Sequence, residues 1–523
     1  MDIRRTFVRG LPLAIVLAWM GASRADGMRG EEAGIAGYAC DAVERACGRL
    51  PPAVRRVRAP LLAARGGGEP APERAAGGVA DPGGSLHAAS TSPALPAQGA
   101  APVVQHTGGR GRRRLHTAAA YLPVPLHSRI DRVQPMTGLV LWNDNADGLA
   151  ALGDDVQLEF AYFKYSQIVA GGQDYDWSAL EARLASAAAR GHQMIVRFHD
   201  TYPGHTAISI PAHVVESAGY ELMYRDVEGR RTFLPDWRSL PLQQFLLEFY
   251  TRFAQRYDRD PRLAFVQVGF GSYAEYHLWD GPLALGQTFP SKAYQRQFLE
   301  HLGATFAQTP WSVSIDAANP EYTPFRDVPA LAQLRFGLFD DSFLHEAHST
   351  SDGEYNRAAW LFFGQQRYRD SPAGGELSYY SDHDQRHALD LPDGPHGRSF
   401  ESLAAQYHVS YMIGNDQPRY QTRARIRQAA MATGYAFRVS SLASNGSCVR
   451  IGVRNEGIAP IYHDAWPAAN GRRAAASLKG LAPGDERMFE TCPGPHPPGA
   501  LAITIESDRL VQGQRIQFNA DLP

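Results

Sequence analysis

The chain has 523 residues, 44% of them hydrophobic and 20% charged, with a formal net charge of -2 at pH 7. That is apolar material enough for a large core and a second domain. The near-zero charge excludes the basic footprint of a nucleic-acid binder, or of a protein held to an anionic membrane surface.

Taken in order, the chain opens on an export pattern. Arg4 and Arg5 precede the apolar run Leu11–Met20, and Ser23 and Ala25 supply small residues for cleavage, so residues 1–25 read as a secretory signal peptide. RRTFVR also resembles a twin-arginine signal. The expected localisation is secreted or periplasmic, and no further window has the ~18 apolar residues of a membrane span. Residues 26–134 are rich in Ala, Gly, Pro and Arg without apolar period, and read as a disordered linker.

From residue 135 to 434, short apolar runs alternate with helical patterns, as in parallel strands joined by helical crossovers. The strands are expected at Gly138–Trp142, Val156–Tyr165, Gln193–Phe198, Leu263–Val268, Ser312–Ile315, Phe336–Phe339, Gly375–Tyr379 and Val409–Ile413. No glycine-rich phosphate turn follows any of them, which favours a closed (β/α)₈ TIM barrel over an open doubly wound sheet. An insertion, Thr201–Arg238, is placed to form a wall or lid over the barrel mouth. Residues 435–523 change texture: Val449, Ile451 and Val453 alternate with polar residues, and Asn470-Gly471 and Pro483-Gly484-Asp485 are turn signals. This is the pattern of a C-terminal antiparallel β-sandwich. In an oxidising compartment Cys448 and Cys492 are placed to clip that domain, while Cys40 and Cys47 either close a small N-terminal loop or stay as thiols.

The stretch LAFVQVGFGSYAEYHLW, residues 263–279, combines a buried strand with a polar and aromatic cluster just past it. The carboxyl ends of barrel strands are where such folds do chemistry, so Glu275 is the first catalytic candidate. Glu376, at the strand counted seventh, is the second. Two carboxyl groups facing one sugar are what glycoside hydrolysis needs; in the retaining mechanism one is nucleophile and the other acid/base. Trp142, Tyr162, Arg197, His199, Asp200, Tyr273, His277, Asp316, Asp340 and Tyr380 lie near expected strand ends, a mixture of donors, acceptors and flat faces suited to a polyhydroxylated ligand. His199, Asp200, His277 and Asp316 also have donor types for a divalent ion. However, no His-x-His pair stands at the first strand and no HExxH occurs, so neither metal nor cofactor is expected. No Gly-x-Ser-x-Gly elbow marks serine chemistry.

The run VQVGFGSYAEYH resembles the signature of a family of secreted bacterial barrel proteins catalogued only as a domain of unknown function. CVRIGVRNEGIAPIYHDAWPA, residues 448–468, resembles its C-terminal hallmark, and GGELSYY, residues 374–380, its second glutamate segment. The resemblance implies a TIM barrel with a terminal β-sandwich, similar to glycoside hydrolases of clan A, whose acid/base follows strand four and whose nucleophile ends strand seven. Glu275 and Glu376 match those places. Clan A enzymes carry Asn directly before the acid/base, where this sequence has Ala274; Tyr273 and Tyr276 replace two tryptophans of the family signature. The expected function is therefore a retaining glycosidase acting on a carbohydrate, with a catalytically silent carbohydrate-binding or cell-surface barrel as the alternative.

Overall fold

The computed structural model describes residues 120–171, 174–348, 355–497 and 500–523. The export signal and the Cys40–Cys47 pair lie outside the described residues. Eight parallel strands close into a barrel: β1 (Gly138–Trp142), β2 (Leu158–Lys164), β3 (Gln193–His199), β4 (Leu263–Gln267), β5 (Trp311–Ser314), β6 (Gly337–Phe343), β7 (Ala373–Leu377) and β8 (Tyr411–Ile413). β8 pairs with β1, Tyr411 opposite Gly138, which completes the ring. The expected (β/α)₈ architecture is what forms.

The helices take their place from the apolar spacing of the sequence. Leu240–Tyr257 buries Leu242, Phe245, Leu246, Phe249, Tyr250, Phe253 and Tyr257, a stripe at three- and four-residue steps. Ser239 begins it by accepting from the Leu242 amide at 3.3 Å, a cap worth about 1 kcal/mol. Among the described residues no helix is long and apolar enough to cross a membrane.

Inside the ring, Val140, Leu158, Phe160, Ile195, Phe265, Tyr411 and Ile413 form the lower core. Alternation along each strand sends every second side chain inward, so the same strands bring Tyr162, Arg197, Gln267 and Asp341 to the layer above. Gly374 is required here: a β-carbon at that position would stand 2.3 Å from the Tyr411 ring.

The C-terminal unit consists of β9 (Phe437–Ser444), β10 (Val449–Asn455), β11 (Trp466–Ala469), β12 (Arg472–Arg473), β13 (Glu486–Thr491), β14 (Ile503–Glu506) and β15 (Phe518–Leu522). β13, β10, β9 and β15 lie side by side in one sheet, and β12, β11 and β14 form a second. The sheets are antiparallel except where β9 meets β15, which run parallel. Cys448 and Cys492 are joined by a disulfide at the end of the β10–β13 ladder.

One boundary needs correction. Part of the expected linker, Leu122–Pro123 and Leu126–Ser128, forms strands that pair with β9 and β15. Val124 and Leu126 pack on the sandwich core. The sequence hid them because strands this short, interrupted by Pro123 and Pro125, show no alternation to read.

The sandwich also plugs the barrel floor. Tyr462 belongs to the lower barrel core and donates from Oη to the Tyr368 carbonyl at 2.6 Å. His463 Nε2 lies 3.0 Å from the Ala264 carbonyl oxygen, and Arg509 donates to the carbonyls of Asp258 and Leu263, each at 3.0 Å. These contacts satisfy polar backbone at the strand starts, where the ladder leaves it open.

Candidate active site

Arg197 sits at the centre of the upper barrel, with no exposed side-chain surface. Its Nη1 donates to Tyr162 Oη at 2.9 Å, to the Tyr273 carbonyl at 3.2 Å and to Glu275 Oε1 at 3.1 Å. Nη2 donates to Asp341 Oδ2 at 2.7 Å, and Nε to Gln267 Oε1 at 2.8 Å. The guanidinium lies 4.1 Å above the Phe339 ring. A planar fork with five donors is the group suited to two carboxylates and an amide at once.

Glu275 is aimed at Arg197 by a tightly wound turn. Tyr273, Ala274 and Tyr276 all adopt left-handed φ values, 56°, 61° and 63°, conformations that cost side-chain-bearing residues of order 1 kcal/mol each. Cross-links hold the turn: Ser272 N donates to His277 O at 2.8 Å, and Tyr273 N to Thr201 O at 3.1 Å. Gly269 permits it, since a β-carbon there would fall 1.9 Å from the Ala274 carbonyl oxygen. Burial first, and then the charge of Asp341, raise the Glu275 carboxyl well above the ordinary range, against the pull of Arg197. A second carboxyl group beside a largely buried one favours keeping a proton on Glu275.

Glu376 is buried on β7, with Ile413 of β8 as its register partner, on the inward face that Gly374 also takes. Its charge acts on the Tyr162 hydroxyl, which Arg197 also holds. Glu275, just past β4, and Glu376, near the end of β7, thus lie at one end of the barrel, the end that also holds the Tyr162–Arg197 pair. Trp142 stands edge-on to Tyr162 with ring centres 5.8 Å apart, forming a wall. His277 Nε2 is 3.4 Å from Glu275 Oε2 and 3.9 Å from Asp316 Oδ2. Tyr380 is on the rim, 37% exposed, its ring 4.7 Å from that of His345.

The inserted segment reaches this mouth as a hairpin, Met223–Val227 with Arg230–Leu234. At its tip Glu228 Oε2 accepts from Tyr273 Oη at 3.2 Å, and Arg230 Nη2 donates to the same hydroxyl at 3.3 Å. The Glu228 amide donates to Trp279 O at 3.1 Å. The insertion therefore braces the loop that carries Glu275.

Not every expected site residue lines the pit. Asp340 is a correction: it lies in the outer layer, 1% exposed, with His348 Nε2 at 2.7 Å, Asn356 Nδ2 at 3.0 Å and Trp360 Nε1 at 3.0 Å. Burial alone would raise its carboxyl, but His348 and its hydrogen bonds hold it below the usual range. The inward residue is its neighbour Asp341. Successive residues of a strand face opposite ways, and an irregularity in β6 after Asp340 blurs the phase. Asp200 is also behind the pit: it accepts from the Gly271 amide at 3.1 Å, and burial pushes its carboxyl up to about 7. His199 is buried edge-on against Tyr162, and burial, with Lys164 nearby, lowers its imidazole to about 3. Tyr276, which stands where the family signature has a tryptophan, is fully buried against Phe270.

Gln267 and Asp341 are the site residues missed from sequence. Gln267 had a visible signal, being the polar interruption of an apolar strand. Of the four residues with metal-donor chemistry, the structure brings His277 and Asp316 together, and adds Glu275. The three offer one donor atom each, all within 4.8 Å of one another.

No family model and no curated protein matches the chain. Among solved structures it is similar to the lactosyl-enzyme intermediate of endo-glycoceramidase II from Rhodococcus sp., at 12% identity and TM-score 0.37, over 71% of this chain and 100% of that one. It is similar to the catalytic domain of a beta-amylase from Paenibacillus polymyxa, at 10% identity and TM-score 0.35, over 57% of this chain and 99% of that one. It is also similar to an alpha-galactosidase from Lactobacillus brevis, at 9% identity and TM-score 0.33, over 72% and 55% of the two chains. These neighbours are glycoside hydrolases, and at such identities and scores no residue role follows from them.

Proposed function

We propose that the chain is an exported retaining glycoside hydrolase, with Glu275 as acid/base and Glu376 as nucleophile. The observation that carries this reading is the gathering of Glu275 and Glu376, far apart in sequence, around the Tyr162–Arg197 pair at one end of the barrel. In the proposed reaction Glu376 attacks the anomeric carbon while Glu275 gives its proton to the leaving oxygen, and the glycosidic bond breaks. Water then adds to the glycosyl-enzyme, giving a proton to Glu275 and releasing Glu376. The raised Glu275 carboxyl supports its part as the acid. Trp142 and Tyr380 offer faces for a sugar ring, and Tyr273 and His277 hydrogen-bonding groups. The Cys448–Cys492 disulfide fits an oxidising, extracytoplasmic compartment.

The test is a glycan array followed by a panel of chromogenic glycosides. Wild type should hydrolyse at least one with retained anomeric configuration by NMR, and Glu376→Ala should lose turnover by about 10³-fold or more while still binding the sugar. Ala274 favours the second reading, a silent carbohydrate-binding barrel. It is buried where clan A enzymes place a sugar-binding Asn. Glycan binding without hydrolysis by wild type would select that reading.

A further inference from the structure

We propose that Glu275, His277 and Asp316 form a binding site for a divalent transition-metal ion of the zinc type, and that an ion seated there silences the barrel. The site stands on geometry alone. Its silencing effect rests on the glycosidase reading above.

Three donor atoms from two loops face one another. Glu275 and His277 come from the turn after β4, which fixes both at a two-residue spacing. Asp316 comes from the short helical turn Ile315–Ala318 after β5, held where Ser314 Oγ accepts from the Asp316 amide at 3.1 Å. Each carboxylate has one oxygen anchored and the other turned to His277. Glu275 Oε1 accepts from Arg197 Nη1 at 3.1 Å, and its Oε2 lies 3.4 Å from His277 Nε2. Asp316 Oδ1 accepts from Tyr355 Oη at 2.9 Å, and its Oδ2 lies 3.9 Å from the same nitrogen. Outer partners of this kind orient metal ligands and keep a site from collapsing.

The spacing fits a tetrahedral ion. Zinc bonds of roughly 2.0–2.2 Å imply donor–donor edges of about 3.3–3.6 Å; the edges from His277 are 3.4 and 3.9 Å and the third is within 4.8 Å, so the donors need only draw together modestly around an ion. One imidazole with two carboxylates suits zinc better than magnesium, which prefers oxygen ligands and holds its waters. The side chains are 5%, 15% and 15% exposed, so the pocket is shielded yet reachable. Coordination would occupy the lone pair through which Glu275 carries its proton, and so remove the acid.

Calorimetry on the tag-free full chain with zinc chloride tests this, and reads the ion whether or not a glycoside is cleaved. The expected result is one ion per chain. His277→Gln and Asp316→Asn should each weaken binding about ten-fold or more, and Glu490→Gln, which is exposed on the sandwich and paired with Arg450, should leave it unchanged. No binding at about 100 µM zinc, or undiminished affinity in His277→Gln, overturns the site. Should either variant fail to fold, zinc-edge X-ray absorption on wild type decides: imidazole with oxygen donors supports the site, sulfur or oxygen alone overturns it. For the silencing, zinc should suppress turnover and EDTA restore it; turnover unaffected by saturating zinc overturns that part.

Discussion

Arg197 Nη1 and Glu275 Oε1 meet at 3.1 Å, while the other terminal nitrogen of the same guanidinium is 2.7 Å from Asp341 Oδ2. One buried cation therefore organises two carboxyl groups, one from the turn after β4 and one from β6. Replacing Arg197 by Met should destabilise the fold by about 3–5 kcal/mol, because it strands two buried acids without their partner. Urea denaturation at pH 7 measures this, and Arg197→Lys, with charge but no fork, should lie between.

The proton on Glu275 is held first by burial and then by the neighbouring charge of Asp341. A rate that needs this acid falls as pH rises through its pKa. Asp341→Asn removes a charge that raises that pKa, so the alkaline limb of kcat/KM should move to lower pH. The profiles are recorded with EDTA present. An unmoved limb would place the essential proton elsewhere.

Asp200 offers a stability test independent of substrate. Its carboxyl is raised to about 7 when folded, against about 3.9 in an unfolded chain, so the folded protein holds an extra proton between those values. Stability from this group is complete below about pH 4 and lost as pH rises through about 7. Asp200→Asn should flatten that decline. Urea midpoints from pH 4.5 to 8 measure the slope.

Gly269 is a packing test of the turn. A β-carbon 1.9 Å from the Ala274 carbonyl oxygen cannot be accommodated without moving backbone. Gly269→Ala should abolish turnover and raise amide exchange across residues 270–277. Gly229→Ala, in open space at the hairpin tip with φ 71°, should cost only ~1 kcal/mol.

Tyr462 tests the joint between the two units. It fills the barrel floor from the sandwich and is 5% exposed. Tyr462→Ala should cost about 3–5 kcal/mol through the cavity it leaves. Chemical denaturation should show the loss, and a barrel cut at residue 434 should melt below the intact chain.

The strands β1 and β4 were legible almost to the residue, because apolar runs bounded by glycine or charge have few alternatives. Glu275 was legible as a candidate for a related reason, since it follows such a run, and Glu376 because it opens the strand counted seventh after two glycines. Asp341 was not, since neighbouring acidic residues at a strand end differ in which way they face, and the irregularity of β6 settles that only in the folded sheet. The strands at 122–128 escaped notice because their partners lie at the far end of the chain.

By itself, then, the sequence determined the alternation of strand and helix, the change to short antiparallel strands after residue 434, and which residues had the chemistry for a site. Those follow from local periodicity and side-chain type, which a chain carries wherever it goes. Only the tertiary structure decided that Arg197 would hold Glu275 and Asp341 together, that Asp340 would turn away, and that Tyr462 would stopper the barrel. Such facts depend on ring closure and strand register, which arise when distant segments meet.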